Sequence, residues 1–239
     1  MQSLQNRFLA ALQTAAPQRW QPSLEPVVLH AGQVLQEFDQ DPGHLYFPHS
    51  ALVALQQRQR DGGIADVALV GREGVVGAHL VFGADATMAR AVVLTAGTAQ
   101  RCPVSAFQQA VEADSVVMHA TLQYLQYLVR HMAVTALCNR HHTSVQKLSR
   151  RVLEVLDRLP GAATVPEAVC VGGVAATALH PAQEALQQLC ATGAVRLQAG
   201  EVSVVQRAGI ERLACGCYAA VGLPGQVAPI NASTAIARA

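Results

Sequence analysis

SVVMHATLQYLQYLVRHMAVTALCNR, residues 115–140, runs for twenty-six residues without a proline or a glycine. At 1.5 Å per residue it makes a helix of roughly 39 Å. Leu122, Leu125, Val129, Met132 and Ala136 recur at steps of three and four, a seam of the a/d kind. Such a helix can pack on its own sheet alone or be shared by two chains. Its length and narrow seam favour sharing, so a homodimer is expected. HHTSVQKLSRRVLEVLDRLPG follows directly and starts a second helix. Thr143 or Ser144 is its N-cap, Leu148, Val152, Val155, Leu156 and Leu159 form its apolar face, and Pro160-Gly161 ends it.

N-terminal to this pair the texture is different. After a short helix over about residues 4–12, residues 24–104 carry brief apolar or β-branched runs, each bounded by Gly, Pro, Asp or His. PVVLHAGQVL, HLYFPHSALVALQQRQRDGG, IADVALVGREGVVG and ARAVVLTAGTAQRCPV are such runs, and their spacing predicts a β-roll, jelly roll or barrel. Asp61-Gly62-Gly63 reads as a hairpin turn. C-terminal to the pair comes a weak helix over about 166–175, then ALHPAQEALQQLCATGAVR, residues 178–196. That stretch is a helix with Pro181 in its first turn, Gly193 past its end, and a stripe of Ala182, Ala185, Leu186 and Leu189. AVRLQAGEVSVVQ turns at Ala199-Gly200 as a two-stranded ribbon. Helix, turn, helix, ribbon is the layout of a winged helix. The predicted class is α+β: a roll over residues 1–113, a dimerisation helix over 114–142, a winged helix over 143–221 and a loose tail over 222–239.

Half of the 239 residues are apolar, enough for a sizeable core. Seventeen basic residues stand against sixteen acidic, so no bulk field draws the chain to nucleic acid or to an anionic membrane. The N-terminus is too polar for a signal peptide and no apolar run spans a bilayer, so a cytoplasmic protein without a membrane partner is expected. In that compartment the six cysteines are free thiols. Cys215 and Cys217 make no strong zinc signature without a second pair. No nucleophile elbow, phosphate loop or paired carboxylates stand out, and no enzymatic activity is expected.

HLYFPHSALVAL, DVALVGREGVVG, CNRHHTSVQKLSRRVLEVLDRL and RAGIERLACGCY, in this order, resemble a bacterial branch of the Crp/Fnr transcription regulators. The likeness runs from about Asn6 to Tyr218 and is weak from Thr164 to Ala182. It implies a cyclic-nucleotide-binding-like roll, a dimer helix and a DNA-reading winged helix. The effector pocket would be formed by Val76, Gly77, Ala78, His79, Arg90, Tyr124 and Tyr127.

Three departures set this chain apart. Family members that bind cyclic nucleotides use a Glu for the ribose and an Arg for the phosphate. Here Ala78 and His79 stand where the Gly-Glu pair would continue, Met88-Ala89 stands near the Arg-Ser pair, and Arg90 is two positions off. A cyclic phosphate without its guanidinium loses a bidentate contact, so cyclic AMP is not the expected effector. Oxygen-sensing relatives carry an N-terminal cysteine cluster, whereas the first cysteine here is Cys102. The third departure lies in the recognition helix. Leu179, His180, Gln183 and Glu184 occupy its DNA-facing places, where the family has Arg, Ser, Thr or Glu, and Arg196 lies beyond it. From Thr164 to Gln206 three acids, Glu167, Glu184 and Glu201, stand against the single base Arg196. Phosphate neutralisation supplies most non-specific DNA affinity, so DNA binding is expected to be weak or lost. Two alternatives follow: a relative that acts by protein contact or heterodimerisation, and a haem-based gas sensor with His79 as ligand.

Arg140, Lys147, Arg150 and Arg151 form the basic cluster of the chain, read either as a solvated helix face or as a contact for DNA backbone or an acidic partner. Cys138, His141 and His142 could share a helix face, but capping at the helix hinge is the preferred role. No metal and no cofactor is expected.

Overall fold

The computed structural model describes residues 6–15, 23–60, 62–83, 89–159, 161–172 and 179–223; the side chains of Ala15 and Leu179 are not among what it describes. The tail from residue 224, Asp61, Met88, Gly173 and the start of the N-terminal helix before residue 6 fall outside it.

Helix α1 (Arg7–Ala15) is fastened by Asn6. Its fully buried amide donates to the Pro48 carbonyl at 2.9 Å and the Gly74 carbonyl at 2.7 Å, and its Oδ1 accepts from the Leu9 N–H. Seven strands follow: β1 (Glu25–Leu29), β2 (Val34–Gln36), β3 (His44–Pro48), β4 (Leu52–Arg58), β5 (Ile64–Val70), β6 (Arg90–Thr95) and β7 (Gly97–Pro103). They pair antiparallel in two sheets, ordered β1-β7-β3 and β2-β6-β4-β5, which makes the predicted roll. A 3₁₀ turn (Ala78–Phe82) lies between β5 and β6. Strands β4 and β5 read as near-continuous apolar runs because both of their faces are covered. Val53, Leu55, Ala68 and Val70 point into the roll with Phe47 and Phe107, while Leu52, Ala54 and Leu69 point out against the second core. A strand with one wet face would have alternated.

Helix α2 (Val104–Ala113) leads into α3 (Ser115–His141), which starts at Asp114, whose carboxylate accepts from the Val116 N–H at 2.8 Å. Helix α4 (Ser144–Arg158) opens on Thr143 with a reciprocal capping box: Thr143 Oγ1 accepts from the Gln146 N–H, and Gln146 Oε1 accepts from the Thr143 N–H. Of its expected apolar face, Leu148, Val152 and Val155 are buried, and Leu156 and Leu159 pack at the rim. They meet β8 (Thr164–Pro166), α5 (Glu167–Gly172), α6 (Leu179–Ala191), β9 (Val195–Gln198) and β10 (Glu201–Val204), whose three strands lie in the order β8-β10-β9. The weak helix thus starts one residue later than expected, because β8 claims Pro166, and its expected end lies outside the described residues. Ala182, Ala185, Leu186 and Leu189 are buried as the stripe predicts. The β9–β10 hairpin turns on Ala199 and Gly200, both at positive φ, as a two-residue turn requires. Helices α7 (Arg207–Leu213) and α8 (Cys217–Val221) close the chain, with α7 against α4 and α8 against both α3 and α4.

Gly97 opens β7 where the Ser50-Ala51 backbone crosses it; a Cβ there would lie 2.6 Å from the Ser50 carbonyl carbon and 2.8 Å from Ala51 Cα. Backbone cannot step aside as a side chain can. Gly97→Ala should therefore cost roughly 1–3 kcal/mol, as overpacking does. Gly172→Ala, with open space around its Cβ, should be neutral or stabilise by up to about 1 kcal/mol through helix propensity. Urea unfolding of the two variants checks the contrast.

Candidate functional site

The roll, the long helix and the winged helix meet at a buried ionic junction. Arg158, near the end of α4, is 1% exposed. Its Nε donates to Glu73 Oε1 of the roll at 2.9 Å, its Nη2 to the Tyr127 hydroxyl of α3 at 2.7 Å, and its Nη1 to the Glu154 carbonyl at 2.9 Å. Glu73 Oε1 also accepts from the Gly71 N–H. A Cβ on residue 71 would lie 2.7 Å from Arg158 Cβ, so only glycine lets the turn come this close. One turn earlier on α4, Glu154 accepts from Arg150 Nε at 2.7 Å and lies 3.6 Å from His131 Nε2 of α3. Arg150 Nη2 donates to Thr135 Oγ1. Arg151 reaches the roll, donating to Asp66 Oδ2 at 2.6 Å and to the Val169 carbonyl of α5. A cavity of about 30 Å³, lined by Asp66, His131, Thr135, Arg150, Arg151 and Glu154 among others, lies inside this junction.

Taking these charges out of water is costly unless each finds a partner. Burial alone would raise the Glu154 carboxyl, but His131, Arg150 and Arg158 outweigh it and hold its pKa well below the usual range. Burial lowers the His131 pKa, helped by Arg158 and Arg150 and opposed by Glu154, so its imidazole is neutral at pH 7. The same burial raises the Tyr127 hydroxyl despite the neighbouring Arg158.

This placement corrects the sequence reading of the basic cluster. Arg150 and Arg151 are neither a solvated face nor a DNA contact; both are buried and paired with acids of their own chain. Arg140 is exposed, and Lys147 donates to the Asn139 carbonyl at 3.4 Å. The seam also shifts. Leu125 and Met132 lean on the roll core, whereas Leu122, Val129, Ala133, Ala136 and Leu137 are exposed, Val129 at 67%.

The expected effector residues take several different places in the roll and on α3. Val76 and Ala78 are buried, and Gly77 precedes the 3₁₀ turn at a φ of 92°. Half-buried His79 has its Nε2 enclosed, and burial lowers its pKa. Tyr124 packs on Phe8 with ring centroids 5.3 Å apart and fills the space beside Gly74, while Tyr127 belongs to the Arg158 junction. Arg90 is the correction: Ala91 and Val93 point into the roll, so Arg90 points out, bonded to Glu37 at 3.1 Å. It cannot serve a phosphate inside the roll.

On α6 the face opposite the core exposes His180, Gln183, Glu184, Gln187 and Gln188. His180 Nδ1 lies 3.3 Å from Glu184 Oε1. Leu179 opens the helix, its side chain outside the described residues. Arg196 stands exposed on β9, but Arg207 is drawn into bonds with Asp157 at 2.6 Å, Glu211 and the Tyr218 hydroxyl. Among the cysteines, Cys138 of α3 comes together with Cys215, Cys217 and His142, a gathering for which the sequence offers only the two short spacings.

No protein-family model matches the chain, and no curated protein matches it. Solved structures do. FixK2 from Bradyrhizobium japonicum superposes with a TM-score of 0.68 at 16% identity, covering 80% of this chain and 98% of that one. TTHA1359, a CRP/FNR-family transcriptional regulator from Thermus thermophilus, gives 0.63 at 18% identity over 80% and 98%. TTHB099, a CRP-family regulator from the same organism, gives 0.65 at 16% identity over 79% and 96%. No helix among the described residues is long and apolar enough to cross a membrane.

Two consequences of the junction can be measured. Arg158→Met leaves Glu73 buried without its partner and should cost roughly 3–5 kcal/mol, much of it recovered in the Glu73→Gln/Arg158→Met pair. Chemical denaturation of both variants reads this. The second is acid sensitivity. Unfolded, His131 takes up a proton near 6.5 and Glu154 near 4.5, and the fold lowers both values. The unfolded chain therefore binds more protons as pH falls, so stability is full above about pH 6.5 and drains away below it. Melting temperatures should fall from about pH 7 to 5, and His131→Gln should flatten that slope. The chain has the fold of the CRP/FNR-family transcription regulators, with a roll and a winged helix joined through a long helix.

Proposed function

We propose that the chain is a Crp/Fnr-like homodimeric transcription regulator whose roll senses an effector or partner other than cyclic AMP and whose winged helix reads DNA weakly. The observation that carries this reading is the outer face of α6, which has the shape of a recognition helix but offers amides, an imidazole and a carboxylate. Gln183, Gln187 and Gln188 are suited to adenine edges, while Glu184 repels phosphate. With Arg207 held by Asp157, Arg196 is left to neutralise phosphate from the wing. Arg90, bonded outside the roll, supports the exclusion of cyclic AMP. The exposed ridge of Leu122, Val129, Ala133, Ala136 and Leu137 on α3 supports a second copy of the chain as its partner, because Leu122, Val129 and Ala136 recur every seven residues, with Ala133 and Leu137 beside them, as a helix-to-helix seam requires.

On random duplex DNA, fluorescence anisotropy should give a Kd weaker than roughly 10⁻⁵ M at physiological salt, with a shallow salt slope. Leu179→Arg/Glu184→Arg should tighten binding and steepen that slope by roughly 0.9 per phosphate engaged. Nanomolar binding by the wild type would place the DNA on another surface. No gain from the arginines would favour action by protein contact. Leu122→Asp/Val129→Asp should leave the far-ultraviolet spectrum unchanged, since both side chains are exposed in the protomer, yet sediment as a monomer. Sedimentation unchanged from a wild-type dimer would remove α3 as the interface.

A further inference from the structure

Cys138 lies in the last turn of α3 and His142 is its C-cap; Cys215 sits in the turn after α7 and Cys217 opens α8. Cys138 Sγ is 3.5 Å from Cys215 Sγ, and Cys217 Sγ is 3.6 Å from His142 Nδ1. All four ligand atoms lie within 4.8 Å of one another. We propose that these four residues bind a zinc ion in a closed Cys₃His site that pins the C-terminal helices to the end of the long helix.

The distances suit the ion. Zn–S bonds of about 2.3 Å in a tetrahedron put neighbouring ligand atoms roughly 3.7 Å apart. Two of the contacts already have that length, and the longest pair needs to close by about an ångström, within reach of rotamer adjustment at half-buried His142 and Cys217. Three sulfurs and an imidazole are the donors that zinc takes in structural sites. Three thiolates, a neutral imidazole and Zn²⁺ carry one net negative charge, which the Arg150 guanidinium beside the Cys138 sulfur, shared with Glu154, offsets in part. Binding would release the three thiol protons to solvent. A disulfide is the competing outcome for close cysteines, but all six are free thiols, and a Cys138–Cys215 bond would need the sulfurs to close to about 2.05 Å and would leave Cys217 and His142 unused.

The site bridges 77 residues of sequence between Cys138 and Cys215, and His142 directly precedes the Thr143 cap of α4. The ion would thereby fix the corner between α3 and α4. His141, considered from sequence as a ligand, is exposed on α3 and takes no part.

The test is cobalt(II) titration of the full chain, stripped by chelator under reductant, together with elemental analysis of the protein as isolated. Near one zinc per chain is expected. Cobalt should give a thiolate charge-transfer band and strong visible bands of tetrahedral geometry, bleached when zinc is added. Cys215→Ser/Cys217→Ser should lose the metal and the bands, while Cys190→Ser should keep both. His142→Ala should weaken cobalt binding at least tenfold. Wild-type protein without thiolate–cobalt bands overturns the site whatever the variants do. So does metal that survives in Cys215→Ser/Cys217→Ser, or a Cys138–Cys215 disulfide in protein purified under air that binds no cobalt after reduction.

Discussion

The Arg158 guanidinium is the group through which the parts of the structure are held to one another. It is fully enclosed, and its three bonds go to three different pieces of chain: Glu73 of the roll, Tyr127 of the long helix and the Glu154 carbonyl of its own helix. Isolated in an apolar medium such a charge would be intolerable; paired, it sets the distance and angle at which α4 crosses the roll. Apolar packing between Leu148 or Val152 and Leu52 or Leu69 supplies the area, but hydrophobic contact is non-directional and would tolerate sliding. Arg158, with Arg151 held on Asp66 earlier along the same helix, removes that freedom.

How far this was legible in the sequence follows from the range of each interaction. The Thr143 capping box, the uninterrupted run of α3, the Ala-Leu stripe of α6 and the two-residue turn at Ala199-Gly200 are written within a few neighbouring residues, and each appears where the pattern puts it. The fates of Arg150 and Arg151 were not legible. Arg151 and Asp66, like Arg158 and Glu73, are 85 positions apart, and a helix rich in arginine looks the same whether its partners are water, phosphate or buried acids. Arg90 is misplaced by the motif for a related reason: counting along a motif locates a residue to within a position or two, while a strand needs the exact parity to decide which face it takes. The seam departs by less. Leu125 and Met132 lie on the flank of the stripe, and the roll, absent from any local pattern, claims them.

The DNA-reading question turns on the same internal pairing. A winged helix gathers affinity mainly from cations on its outer face. Here Arg207 spends its charge on Asp157 and Glu211, and Arg151 on Asp66. On the outer face of α6 and on the wing stand the glutamines, Glu184 and Arg196, and in such a setting amides specify while phosphate contacts bind.

Helix α4 is thus a member held both to the roll and to the last helices of the chain. At its C-terminal end Arg158 ties it to the roll and to α3; at its N-terminal end the Cys138–His142 corner, joined to Cys215 and Cys217, ties it to α8. A helix held at both ends cannot swing about the link at residues 142–143 alone. An effector can shift the winged helix only if it distinguishes a second arrangement in which one fastening is released. The N-terminal corner is the cheaper one to open, because His142 and Cys217 are half exposed, whereas breaking the Arg158 pairs would strand Glu73 in the core. Loss of the Cys215 and Cys217 side chains would therefore loosen that corner first, with the Arg158–Glu73 and Arg151–Asp66 pairs still in place.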